Sequence, residues 1–111
     1  MAEQPKILHL TLKKKWFDMI ASGEKKEEYR EVKPYWEKRL YGHYNDFDEL
    51  LSFDIVEFRH GYKSDAPRIK VEFDKLIEGT GRPEWGAEPG KTYFVIKLGK
   101  ILSTTGKPGV K

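Results

Sequence analysis

The sequence predicts a single α+β domain: a small closed or nearly closed β-barrel of five or six strands, with two or three helices packed on one side. Three observations predict it. The chain has 111 residues, about the size of one domain with one core. Five segments alternate apolar and polar residues at period two, whereas the helical-period segments all fall in the first half of the chain. The strands are short and do not alternate regularly with helices, which favours a small barrel over a parallel sheet.

Residues 6–12 open the series, with Leu8, Leu10 and Leu12 on one face and His9 and Thr11 on the other. Residues 13–22 switch to helical spacing. Trp16 and Ile20 lie four apart beside Phe17 and Ala21, and Gly23 follows as a stop. Residues 24–32 read as a strand with polar residues on both faces. A second helix begins near Pro34, a favourable first-turn residue, and places Trp36 and Leu40 on one side. Asp46 with Glu49 three residues on predicts a capped short helix carrying Phe47, Leu50 and Leu51.

Residues 54–62 form the next strand, with Val56 and Phe58 facing one way and Gly61 bending its end. Residues 68–74 carry the clearest alternation, Ile69, Val71 and Phe73 against Lys70, Glu72 and Asp74. A Gly- and Pro-rich loop over residues 78–91 encloses Trp85, and residues 92–98 make a last strand with Phe94, Ile96 and Leu98 inward. The domain therefore spans residues 1–102, and residues 103–111, small and polar, read as a flexible tail.

Composition narrows the function classes. With no cysteine, the chain has no disulfide scaffold, thiol nucleophile, thiolate zinc site or iron–sulfur cluster, and a reducing cytoplasm is the expected compartment. No apolar run approaches the ~18 residues of a transmembrane helix, so no membrane association is expected. The first residues are polar and carry no apolar h-region, so a secretory signal is not expected. His9, His43 and His60 lack metal-ligand spacing, so neither a metal nor a cofactor is expected. Gly79-Thr80-Gly81 lacks the Gly-Lys-Ser/Thr ending of a phosphate-binding loop. The formal charge of +3 is gathered in the first third, chiefly at Lys13-Lys14-Lys15 and Lys25-Lys26, which suits a local phosphate contact better than bulk duplex binding.

The chemistry concentrates in Gly23-Glu24-Lys25-Lys26-Glu27-Glu28-Tyr29-Arg30, where a helix ends and a strand begins. On a strand, Glu28 and Arg30 project from one face about 6.6 Å apart. Lys25 sits at the mouth of that face, so a carboxylate is held between two cations, and it orients the guanidinium or accepts a proton from a ligand. Lys13 and Trp16 approach the same mouth. On spacing alone the pair reads first as a solvated ion pair worth ~0–1 kcal/mol. His60, at a turn beside a barrel mouth, reads first as structural and second as a ligand contact. Trp85 either plugs the barrel end or offers a stacking platform for a base. Tyr35, Tyr41 and Tyr44 cluster about the second helix.

The pattern Gly23-x-Lys25-x-x-Glu28-x-Arg30, preceded by an apolar strand and a Trp-bearing helix, resembles the ASCH domain family of the PUA-like superfamily of small β-barrels. Phe58-Arg59-His60-Gly61-Tyr62 is similar to a strand-and-turn of that family, and Trp85-Gly86 with residues 93–99 to its closing strand, so the resemblance covers about residues 6–102. It implies a cleft between helix and barrel for RNA or a nucleoside-like ligand. Lys25, Glu28 and Arg30 would line it, Lys25 and Arg30 on phosphate or a base edge, with Tyr62 or Trp85 stacking. One branch hydrolyses 4-acetylcytidine with a Lys and a Thr of the motif plus a distant Glu. Lys25 matches that Lys, but Glu28 stands where the Thr belongs. Two alternatives accompany the binding module. One is a metal-independent hydrolase of a modified nucleoside or RNA, with Lys25 and Glu28 as catalytic proton-transfer groups. The other is a protein-interaction module presenting Tyr35 and Tyr41.

Overall fold

The computed structural model describes residues 4–44 and 47–105 of the chain, without the side chains of residues 43, 44 and 47. Its elements run β1 (Ile7–Thr11), α1 (Lys14–Ala21), β2 (Glu27–Glu31), α2 (Pro34–Leu40), β3 (Tyr41–Tyr44), β4 (Phe47–Leu50), β5 (Ile55–Arg59), β6 (Arg68–Thr80), a 3-10 turn at Pro83–Trp85, and β7 (Thr92–Thr105). The fold is α+β. A curled, half-barrel sheet of five strands has the order β1-β5-β6-β7-β2, and β3 and β4 form a separate hairpin. The β1–β5 pair is parallel and the other neighbours are antiparallel.

The curl originates in the two long strands. The β6–β7 ladder shifts register between Lys70 and Lys75, and Glu72 Oε1 accepts the Lys100 N–H at 3.0 Å beside the irregularity. Such bulges bend a strand and increase its twist. Inside the curve, Leu10, Val56, Phe58, Ile69, Phe94 and Ile96 are buried, closed over by Phe17 and Ile20 of α1 and by Leu40 of α2. The outer face of β2 and β7 carries a smaller cluster of Tyr29, Tyr93 and Val95, roofed by Ala87 and Trp85. Register explains the division: Tyr29 stands opposite Val95, while Glu28 and Arg30, opposite Ile96 and Phe94, take the other face.

Residues 47–50, expected as a helix, form β4 instead, with Leu50 opposite Tyr41 and Glu49 opposite Gly42. The backbone turns extended at Tyr41, which supplies a partner strand, and Leu51 N–H bonds to Leu40 C=O at 2.9 Å. A capping signal contributes only ~1 kcal/mol, and the hairpin ladder outweighs it. The expected cap, Asp46, lies outside the described residues.

Other boundaries shift for identifiable reasons. β2 starts at Glu27 because the Lys25 N–H still bonds back to Met19 C=O at 3.0 Å. β5 stops at Arg59, whose side chain is engaged by the following loop. β6 runs on to Thr80 because β7 offers a continuous partner, and β7 itself continues to Thr105, opposite Arg68. Residues 106–111 of the expected tail lie outside the described residues. Among the described residues no helix is long and apolar enough to cross a membrane.

Candidate functional site: a buried charge chain beside an open groove

Helix α1 ends where Gly23, at φ 86°, reverses the chain, and the Lys25 amide closes back on Met19. That turn aims Lys25 inward, where it is only 2% exposed. Its ammonium reaches Glu28 Oε1 at 3.1 Å and donates to the Trp85 carbonyl at 2.8 Å. It also lies 4.9 Å from the Tyr29 ring centre and 5.2 Å from that of Trp16, within cation–π range. Burial pushes the Lys25 pKa below its ordinary value and the Arg30 charge adds to this, while Glu28 opposes both.

The second Glu28 oxygen, Oε2, accepts from Arg30 Nη2 at 2.9 Å. The same Nη2 donates to the Thr11 carbonyl at 3.1 Å, and the guanidinium carbon lies 5.0 Å from the Trp36 ring centre. Arg30 Nε is buried and has no hydrogen-bond partner among the described residues. A chain of charge thus runs Trp85–Lys25–Glu28–Arg30–Thr11. Because β1 and β2 are the two outer strands of the sheet, the Arg30–Thr11 bond links its edges across the mouth of the half-barrel.

Thr11 is also where an open groove begins. This groove, of about 300 Å³, lies between the end of β1 and the end of β5 and is lined by Thr11, Leu12, Lys13, His60, Gly61 and Tyr62. Its wall is rigid. Arg59 Nε donates to Gly61 C=O at 2.8 Å and its Nη2 to Lys63 C=O at 2.7 Å. His60 Nδ1 lies 3.1 Å from Leu12 C=O and, since a carbonyl only accepts, donates to it. Tyr62 stands out from this wall, 84% exposed. A second hollow, of about 380 Å³, shares His60, Gly61 and Tyr62 with the first and is bordered also by Lys63, Asp65 and Pro67.

No protein-family profile, curated protein or solved structure matches this chain.

The residues expected at one mouth fall into two groups. Lys25, Glu28 and Arg30 come together as the adjacency on β2 foretold, but in the interior. Trp16 and Trp85 belong with them: Trp16 covers Lys25 and touches the Gly86 turn, and Trp85 offers its carbonyl to Lys25 and its ring to Arg82 at 4.8 Å. Lys13, His60 and Tyr62 line the groove. Lys63 and Asp65 of the second hollow, and Trp36 against Arg30, were not singled out as ligand residues. Only Arg59, within the stretch 58–62, hinted at the loop that carries the first two. Near α2, Tyr35 is 52% exposed under the Arg39 guanidinium, and Tyr41 donates to Glu78 Oε2. The Tyr44 side chain lies outside the described residues.

Proposed function

We propose that this chain is a cytoplasmic, ASCH-like domain of the PUA-like class that binds single-stranded RNA or a modified nucleoside in the groove beside Tyr62. The observation that carries the reading is that groove. It combines a lysine with no ion-pair partner among the described residues, an imidazole held by the Leu12 carbonyl, and an exposed aromatic ring with no ring partner among the described residues. Single-stranded nucleic acid is recognised by this combination: phosphate meets a cation and an unstacked base meets an aromatic face. The buried Lys25–Glu28–Arg30 chain supports the groove through Thr11 rather than lining it. A duplex would need a broad cationic face, which a formal charge of +3 does not supply.

The test is an amide NMR titration of the labelled protein with a short single-stranded RNA containing cytidine and modified cytidine. Shifts centred on Lys13, Gly61 and Tyr62, weakened in Lys13→Glu, are expected. An unperturbed spectrum at millimolar RNA would end the reading.

A second reading rests on Lys25. Its lowered pKa is what a proton-transferring or nucleophilic lysine needs, and it borders a narrow cleft of about 130 Å³ with Lys26 and Lys100. In that reading the chain hydrolyses a modified nucleoside, and Lys25→Ala abolishes turnover of a 4-acetylcytidine substrate with binding unchanged. The near-complete enclosure of the amine favours the binding module.

A further inference from the structure

His60 is anchored to the peptide bond that carries Lys13. Its Nδ1 donates to the Leu12 carbonyl at 3.1 Å, and the Leu12 N–H donates to the Arg59 carbonyl at 2.8 Å. The ends of β1 and β5 are thereby locked side by side, and the imidazole lies next to the carbonyl from which Lys13 departs. Phe17 of α1 packs against the ring, with the centroids 6.2 Å apart.

With Nδ1 spent on Leu12, Nε2 is the ring nitrogen left to act. It has no hydrogen-bond partner among the described residues. The buried side-chain polar atoms without a partner among those residues are Arg30 Nε and Arg68 Nε, so His60 Nε2 is open to solvent. An imidazole oriented through one nitrogen and open at the other is arranged for proton transfer.

The groove that His60 lines suits a phosphodiester. Lys13, also in its wall, has no ion-pair partner among the described residues, and no Asp or Glu lines it. Helix α1, which starts just after Lys13, has no acid in its first turn and no capping side chain. A phosphate entering here meets a cation and no competing carboxylate.

We infer that this groove cleaves the single-stranded RNA it binds, by transphosphorylation with His60 as the base. His60 Nε2 takes the proton of a ribose 2′-hydroxyl, and the 2′-oxygen attacks the adjacent phosphorus. The bond from phosphorus to the 5′-oxygen of the next nucleotide breaks, and that oxygen takes a proton from water. One product ends in a 2′,3′-cyclic phosphate and the other begins with a 5′-hydroxyl, while the imidazolium returns its proton to solvent. The Lys13 ammonium offsets the negative charge that gathers on the phosphorane. The balance needs no co-reactant beyond water. The inference rests on the nucleic-acid reading above and adds a reaction to it, at a site separate from the buried Lys25.

The experiment incubates the full chain with a short single-stranded RNA, or with its 2′-deoxy counterpart, in the presence of EDTA, and identifies the products by mass spectrometry. Fragments ending in 2′,3′-cyclic phosphate are expected from the RNA, and the deoxy strand should stay intact. His60→Asn keeps a donor for the Leu12 carbonyl and removes Nε2. It should still bind RNA by NMR titration, yet cleave about 100-fold more slowly or worse. RNA that is bound and left intact overturns the reaction while leaving the binding module standing. Cleavage at the native rate by His60→Asn, prepared in the same way, overturns it as well. So do fragments ending in a 3′-hydroxyl, a result that needs no variant to be read. If RNA does not bind at millimolar concentration, the nucleic-acid reading falls and the reaction with it.

Discussion

Glu28 serves two cations at once, one oxygen to Lys25 at 3.1 Å and the other to Arg30 at 2.9 Å, with its side chain 8% exposed. Removing one member of a buried pair costs about 3–5 kcal/mol, because the charge left behind has lost both its partner and its water. The three residues are not equivalent in this respect. Glu28→Ala leaves two cations facing each other, whereas Lys25→Met leaves Glu28 still paired with Arg30. Urea denaturation should therefore show Glu28→Ala losing about 3–5 kcal/mol and Lys25→Met clearly less; the reverse order would mean that Arg30 does not hold the carboxylate.

The same lysine gives a pH signature. Its native pKa lies below the ordinary 10.5, so between that lowered value and 10.5 the unfolded chain binds more protons and stability rises with pH. Tyr41 acts in the opposite sense. Its bond to Glu78 holds the phenol up to about 12 against an ordinary 10.0, so stability is lost as pH climbs from 10.0 through 12. Lys25→Met should abolish the first slope and Tyr41→Phe should weaken the second, both read from unfolding midpoints in alkaline buffer.

At the scale of elements, the contacts that matter join pieces distant in sequence. The segment around the 3-10 turn is pinned by Tyr29, whose hydroxyl donates to Glu27 Oε1 at 2.7 Å and accepts the Arg82 N–H at 3.0 Å. Gly81 packs so close that an added Cβ would lie 2.5 Å from the Tyr29 ring and 2.8 Å from Ala87 Cβ. Gly81→Ala should therefore destabilise the protein by about 1–3 kcal/mol, seen as a lowered Tm. It should also loosen the Trp85 carbonyl from Lys25, which the Lys25 side-chain NMR resonances would report. At this scale the hairpin was the misread element. The helix signal of residues 46–51 is local, whereas β3 becomes a strand only because α2 stops at Leu40 and leaves an extended partner, a choice that short-range patterns do not carry.

Across the whole molecule, one interior supports the groove. Phe58 and Phe94, both at 0% exposure, span the curve from β5 to β7. Phe94→Ala should cost about 3–5 kcal/mol in urea denaturation. The wall of the groove is the continuation of β5, so a collapsed core should also erode binding. Electrostatics act at this scale as well. With Lys13 as a phosphate contact, the plot of log affinity against log salt should have a shallow slope of about −1 to −2, and Lys13→Ala should reduce its magnitude by roughly one contact. A slope several times steeper would point to a broader cationic surface.

Much was legible without coordinates. Strand faces could be read from Leu8, Leu10, Val56, Phe58, Ile69 and Val71, all of which are buried, because alternation is a property of neighbouring residues and of the pleat. The helix stop at Gly23 and the Lys25–Glu28–Arg30 grouping were legible for the same reason: each lies within a few residues of the next along the chain. What periodicity and spacing do not carry is which distant segments meet. That Lys25 would find a carbonyl at residue 85, that Arg30 would link β2 to β1, and that Lys13 would share a groove with His60 and Tyr62 follow from the curl of the sheet, and from the bulges in β6 and β7 that produce it. Burial of the charge chain and exposure of Tyr62 are likewise decided by the tertiary structure, because solvent access depends on everything that packs around a side chain and not on its neighbours in sequence.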